Sequence, residues 1–361
     1  MPRLSLLGAA LALIAAGSDV HAQEVVKIDT ESGRTIIDDE WRSMYRGLAA
    51  VDWDRKLLYV SDREEPDGIM VFSLETGEHV RTVSTPRGDG PQELKDGRQG
   101  IAIKPDGGTY ISGYLRVLEF DPAGNYLANW SPVRPPSQRV CDFGGAPAVA
   151  TQGGVLRRGP NGEGQVLGSV GESGEYIRAT TVAEGIGIST MLLAETHIVC
   201  TDDAAFVVAA QEEGPATVTI YRLDGSVDSL QVPVEGASSR PCMIAGEPCP
   251  HWSRRARVSL DDHDNLVILG ADSRTHGSII NPETGCYALI HADGNMLFAP
   301  AAIRADSALV FYDLVTETRD SQGRIRRNIR PNSSPKIAMH PIRRYSGEPC
   351  EGILPNAPPA R

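Results

Sequence analysis

Short apolar runs recur along this chain at near-constant spacing, beginning near Leu48, Ile101, Ala148, Ile198, Val258 and Ile303, roughly 45 to 60 residues apart. Each opens onto a polar turn and a second run rich in Val, Ile, Leu and Tyr. LLYVSD follows Trp53-Asp54, TYISGY follows Pro105-Asp106-Gly107-Gly108, AFVVAA follows Asp202-Asp203, and NLVILG follows Asp262-His263-Asp264. Runs bounded in this way by Asp, Pro and Gly read as hairpins. A second series, later in most units, turns at Gly77, Gly124, Gly174, Gly225 and Gly285, where tight turns call for positive φ. Two hairpins make four strands per unit, and the six starts make six units. The reading is an all-β chain folded as a six-bladed β-propeller of four-stranded antiparallel blades, a period typical of that architecture.

A circle of blades has to be closed. VVKIDTESGRTII, with Gly33 at its turn, resembles the later hairpins and is expected to pair with the last blade, so that strands from both chain ends lock the ring. That blade starts with AAIRAD and ALVFYDLV, and RIRRNIR and KIAMHPI are rival suppliers of its outer strands. A seventh, incomplete blade stays open as an alternative. The expected division is a signal peptide over 1–22, a propeller domain over 23–345 and a Pro-rich tail over 346–361.

The signal peptide rests on Arg3, the apolar run from Leu4 to Ala16 and the small-residue site Val20-His21-Ala22, which place the mature start near Gln23. The run is shorter than the roughly 20 residues that span a bilayer, so the expected location is periplasmic or secreted, with no transmembrane segment. In an oxidising compartment an even cysteine count favours disulfides. The candidates are Cys141, Cys200, Cys242, Cys249, Cys286 and Cys350, with a local Cys242–Cys249 clip as the first choice. The formal net charge of −12 opposes nucleic-acid binding, which needs a basic footprint. Between Arg319 and Arg344, however, eight basic residues stand against Asp320 alone. The ordinary reading is a solvated strand face and basic tail; the sharper one is an anion or partner patch at Arg324, Arg326, Arg327 and Arg330.

The segment from Gly47 to Trp130 resembles the NHL-type six-bladed propellers of exported bacterial proteins. The likeness lies in Gly88-Asp89-Gly90-Pro91-Gln92-Glu93, Pro105-Asp106-Gly107, Arg116-Val117-Leu118-Glu119-Phe120 and Asp121-Pro122-Ala123-Gly124. It covers two blades closely and the rest loosely, with Ser112-Gly113 standing where such repeats often carry an aspartate. The resemblance implies the fold, and it admits enzymes with a metal at the axial channel, such as amidating lyases with histidine ligands or lactonases with a calcium site.

No coherent catalytic set accompanies that scaffold. His79, His197, His251, His263, His276, His291 and His340 do not recur at one blade position, and no HExxH, GxSxG or P-loop pattern occurs in context. Arg87 to Glu93 reads either as an anion nest or as an inter-blade connection, and the connection is preferred. Asp261-Asp262-His263-Asp264-Asn265 clusters oxygen ligands but lacks the glycine and distal glutamate of a calcium loop, so it reads as a turn. Asn332-Ser333-Ser334 fits a glycosylation acceptor. The expected function is an extracytoplasmic binding propeller for a protein, peptide or glycan, monomeric, with no cofactor assigned. The alternative is a metal-dependent hydrolase or lyase with its site at the axial channel.

Overall fold

The computed structural model describes residues 25–29, 32–37, 48–61, 68–95, 97–113, 115–132, 139–151, 154–167, 197–209, 216–232, 243–244, 247–248, 256–270, 277–292, 297–304, 306–313, 315–319, 325–329, 336–343, 345 and 352–353. Among these there is no helix. Four separate sheets, each of four antiparallel strands, follow one another along the chain. The first holds Leu48–Asp52, Leu57–Ser61, Gly68–Ser73 and His79–Ser84. The second holds Gly100–Ile103, Thr109–Ser112, Val117–Phe120 and Tyr126–Trp130. The third holds Val140–Asp142, Pro147–Thr151, Gly154–Arg158 and Gly164–Leu167. The fourth holds His197–Cys200, Ala204–Ala209, Ala216–Arg222 and Val227–Val232.

Two further groups of strands belong to one larger, mixed sheet. Ala256–Leu260, Leu266–Gly270, Gly277–Ile280 and Cys286–Ala292 pair in chain order like the earlier sets. Leu297–Arg304 pairs with Ser307–Asp313, which pairs with Lys336–Arg343. The N-terminal strand Arg34–Ile37 adds antiparallel to Lys336–Arg343, with Arg34 opposite Met339. Val25–Ile28 joins the two groups, running parallel to Cys286–Ala292 and antiparallel to Lys336–Arg343.

The turns follow from their residues. Asp121 accepts from the backbone N–H of Asn125 at 2.8 Å and from its side-chain amide at 2.9 Å, while Gly124 takes φ +89°. The aspartate thus supplies a local acceptor and the glycine the left-handed position. Asp106 accepts from Gly108 N–H at 2.8 Å in the same manner. The alternating apolar residues that flank such turns form the faces of the sheets.

Those faces are buried between successive sheets. Tyr59, Ile69 and Val71 of the first pack with Ile111, Leu118 and Phe120 of the second. Tyr110, Val117 and Trp130 then pack with Val140, Val149 and Leu156, and Phe143, Ala148 and Val155 with Ile198 and Ala205. Phe206, Val218 and Ile220 meet Leu266, Ile268 and Ile280, while Val267, Ile279 and Ile290 meet Ile303, Ala308 and Val310. Leu309 and Ile337 of the last group, with N-terminal Ile36 and Ile37, pack on Leu58, Val60 and Phe72 of the first sheet. The opening strands of the groups adjoin in chain order, and Leu297–Arg304 lies against Leu48–Asp52, so the series returns on itself. Full burial of one such side chain is worth about 1.5–3 kcal/mol, against about 0–1 kcal/mol for a surface ion pair. Apolar interfaces therefore carry the assembly.

Polar ties cross the same interfaces. Arg98 Nε donates to Ser61 Oγ at 2.9 Å, and Arg139 Nη1 donates to Gln99 O at 3.2 Å, each reaching back from the start of one sheet to the preceding one. Arg55 Nη2 reaches forward to Pro105 O at 2.8 Å. Glu119 accepts from Arg158 at 2.7 Å and Lys104 at 3.1 Å. Burial works against its carboxylate, but those two cations hold its pKa below the ordinary value. Cys141 and Cys200 form a disulfide between the opening strands of the third and fourth sheets, with Cα atoms 5.6 Å apart.

Several expectations need correction. The third unit opens at Val140–Asp142, and the run at Ala148 is its second strand. Its second hairpin turns at Gly162; Gly174 lies outside the described residues. A three-residue strand carries too little alternation to register as one. Cys286 is a buried, free thiol, contrary to full pairing; an even cysteine count favours disulfides without fixing which residues meet. Cys242, Cys249 and Cys350 lie outside the described residues. Part of the expected tail, Gly352–Ile353, pairs with Cys286 and Tyr287. RIRRNIR does not extend the last group, whereas KIAMHPI does.

His340 sits where the two chain ends meet. Its Nδ1 lies 3.1 Å from Asp29 O, beside the Asp29–Arg343 ion pair. A Cβ on Gly33 would fall 2.1 Å from the His340 ring, so glycine is needed for this approach. Burial lowers the His340 pKa, with Asp29 opposing the shift. The unfolded chain thus binds the proton more readily, so this contribution is present above the unfolded value of about 6.5 and is lost as pH falls below it. Urea titrations at pH 8 and pH 5 should show a loss of stability on acidification that shrinks in His340→Gln; an unchanged pH difference refutes the role. Cys141→Ser with Cys200→Ser should cost about 2–4 kcal/mol by chemical denaturation under oxidising conditions.

Candidate functional site

Alternating strand directions sort the connections onto two ends of the sheets. At one end lie the first-to-second turns 53–56, 104–108, 143–146, 201–203, 261–265 and 305–306, with the third-to-fourth turns 74–78, 121–125, 159–163, 223–226 and 281–285. At the other lie 62–67, 113–116, 152–153, 210–215, 271–276 and 314–335, together with the sheet-to-sheet segments 85–99, 131–139, 168–196, 233–255 and 293–296. Of these connections, those at the first end span two to five residues, and every longer one lies at the other.

The tight-turn end carries an uneven ring of charge. Around the first sheet and the Leu297–Arg343 group, cations are interleaved with carboxylates. Arg55 pairs with Asp52 at 3.1 Å; Arg304 Nε lies 3.4 Å from Asp262 and 3.3 Å from Asp306, and its guanidinium stands 5.5 Å from the Trp53 ring centre. Around the third and fourth sheets and the Ala256–Ala292 group, carboxylates predominate. Asp142 is half-buried, and desolvation raises its pKa, with Asp202 and Asp106 adding repulsion while Gly145 N–H and Lys104 oppose it. Its Oδ1 accepts from Gly145 N–H at 2.9 Å, whereas Oδ2 is buried without a hydrogen-bond partner among the described residues. Asp264 is raised by desolvation and by the carboxylates of Asp261, Asp202 and Asp203.

The individual motifs resolve into local structure. Asp261 Oδ1 accepts from His263 N–H and Asn265 N–H, each at 2.9 Å, and its other oxygen accepts from Asn265 Nδ2 at 3.0 Å and from the Tyr345 hydroxyl. This carboxylate closes its own turn and tethers Tyr345. Asp203 accepts from Thr201 Oγ1 at 2.7 Å in the fourth sheet's first turn. At the other end, the Arg87–Glu93 segment forms the connection between the first and second sheets. Glu93 Oε2 accepts from Gly90 N–H at 2.7 Å, and Arg116 donates to Glu93 O at 3.1 Å. A side chain of the loop fills the position an outside anion would take.

The remaining candidates are scattered. His79 packs edge-on to Phe72, with ring centres 5.5 Å apart. His197 and His291 lie on different strands of their sheets, His263 in a turn and His340 near the chain ends; His251 and His276 lie outside the described residues. Among the described residues, no three of His, Cys, Asp or Glu gather closely enough to hold a metal ion. No described helix is long and apolar enough to cross a membrane. Arg326 and Arg327 lie on Ile325–Ile329, which pairs with Val315–Arg319 as a separate two-stranded ribbon. Arg324 and Arg330 fall outside the described residues, as does Asn332-Ser333-Ser334.

No protein-family model and no curated protein matches this chain. Solved structures do match. The WD40 repeats of RRP9 align over 89% of this chain and 100% of theirs, with a TM-score of 0.51 at 10% identity. The fold is a β-propeller. A gluconolactonase from Xanthomonas campestris aligns over 90% of this chain and 96% of its own, with a TM-score of 0.45 at 11% identity. At such identities only the fold of a propeller is shared, and its chemistry has to be read from this chain's own residues.

The sequence displayed the separate aspartates but not the arc from Asp106 through Asp142 and Asp202 to Asp264, which exists only when consecutive blades stand side by side. Asp264 also occupies φ +60°, a conformation that asparagine accepts as readily. Its raised pKa means that the folded state loses stability as pH rises through the interval above the ordinary carboxylate value. Asp264→Asn should therefore raise the urea midpoint at pH 7 and flatten its decline between pH 4 and pH 7; an unchanged or lowered midpoint contradicts this electrostatic account.

Proposed function

We propose that this chain is an extracytoplasmic, six-bladed propeller of the NHL-like kind that binds a protein, peptide or glycan partner across its long-connection end. The observation that carries this reading is the contrast between the two ends. Turns at one end span two to five residues, while the longest connections, 85–99, 168–196, 233–255 and 314–335, all lie at the other. Insertions in repeat architectures gather on the face that meets a partner.

Six apolar interfaces between successive groups of strands support a count of six blades. The last blade takes its inner three strands from 297–304, 307–313 and 336–343 and its outer strand from 34–37, so that the N-terminus closes the ring. Export is supported by the apolar run ahead of Gln23 and by the Cys141–Cys200 disulfide, a bond that oxidising compartments favour. The propeller acts as a monomer, and the net negative charge disfavours nucleic acid as the partner.

Photo-crosslinking groups placed singly at Asp89 and Leu115, on the long-connection end, should form adducts with a partner in cells. The same groups at Glu163 and Glu283, on the tight-turn end, should not. Adducts confined to Glu163 and Glu283 would place binding on the wrong end and refute the proposal. Mass spectrometry of the cell-envelope fraction should find the mature chain beginning at Gln23; an intact N-terminus in the cytoplasm rules out export.

A further inference from the structure

The second and third strands of a blade are joined here by 62–67, 113–116, 152–153, 210–215 or 271–276, never more than six residues. In the last blade the equivalent connection is 314–335, twenty-two residues. The insertion is not needed for pairing, since Ser307–Asp313 and Lys336–Arg343 meet in continuous register from Ser307–Pro341 to Tyr312–Lys336 without it. Within it, Val315–Arg319 and Ile325–Ile329 form a ribbon whose strands pair with each other and with no other strand among the described residues.

A two-stranded ribbon by itself is marginal in water, and no strand among the described residues pairs with either outer edge. A third strand would satisfy one edge. The charge of the ribbon decides which kind of strand. Glu317 stands opposite Arg327 in register, while Arg319 stands opposite Ile325 and Arg326 opposite Thr318. Across 315–330, Arg319, Arg324, Arg326, Arg327 and Arg330 outnumber Glu317 and Asp320 in a chain of net charge −12. Like charges oppose the pairing of two such ribbons from separate copies. An extended segment bearing carboxylates meets no such repulsion and gains charge-assisted hydrogen bonds.

We propose that this ribbon is a docking arm that receives an extended acidic segment of a partner protein by strand addition along its open edge. The inference rests on the long-connection end being the binding face, and it names the chemistry of the partner there. The arm leaves from that end, between the second and third strands of the closing blade.

The test uses the full chain and a short synthetic peptide alternating glutamate with threonine, followed by fluorescence anisotropy. Saturable binding is expected, weakening with added salt and falling about ten-fold or more in Arg319→Glu with Arg326→Glu. A peptide with lysine in place of glutamate should not bind. Replacing 314–335 by a tight turn should abolish peptide binding while the thermal melting point stays close to that of the parent, as the shorter connections of the other blades indicate. The proposal is overturned if charge reversal leaves peptide affinity unchanged, if anionic lipid vesicles bind through these arginines while the peptide does not, or if the shortened chain unfolds. Crosslinking from Asp89 and Leu115 separates the two readings. A partner still captured by the charge-reversed chain refutes the arm and leaves the binding face standing, whereas no capture by the parent chain removes the face itself.

Discussion

Burial of one apolar sheet face against the next is the interaction on which everything else here depends. A four-stranded blade cannot hide both faces alone, and the chain offers no helix among the described residues to cover them. Each blade is therefore covered by its neighbours, and the last has to meet the first. Leu309 and Ile337, with Ile36 and Ile37 from the N-terminus, meet Leu58, Val60 and Phe72. The hydrogen bonds from Arg98, Arg139 and Arg55 cross the same seams, fixing how neighbouring blades are aligned where apolar contact alone is not directional.

That arrangement assigns different physical duties to the two ends. Tight turns demand local hydrogen-bond acceptors, and the aspartates that serve this purpose, with others beside them, accumulate negative charge at that end. Repulsion from Asp106 and Asp202 on Asp142, and from Asp202 on Asp264, arises because the first turns of successive groups stand side by side. Around the first and last blades, Arg55 and Arg304 relieve it; over the third to fifth blades, desolvation and neighbouring carboxylates hold Asp142 and Asp264 above their ordinary pKa. The opposite end has no such constraint on connection length. The chain can insert there, as it does most generously between Asp313 and Lys336, without disturbing a single blade pair.

Much of the fold is legible in the sequence. The recurring hairpins at Asp52, Asp106 and Asp261 carry turn chemistry that acts within a few residues, so sequence exposes it directly. The misplacement of the third unit at Ala148 has the same cause: Val140–Asp142 is too short to show alternation, and its identity as a strand comes from pairing with Pro147–Thr151. The candidate site was less legible. Arg87 to Glu93 offered two readings with one composition, and only the position of the Glu93 carboxylate on Gly90 N–H distinguishes a filled loop from an open nest.

The sequence by itself determined the all-β class, the period of the repeat and most of its turns, because φ preferences, Asp-capped turns and strand alternation are local properties. Tertiary structure decided which strands near the two chain ends pair with each other, that Cys141 meets Cys200 while Cys286 stays free, and that single acids from successive groups become one arc. Those outcomes depend on distances between residues far apart in the chain, and such distances are set by packing the blades together.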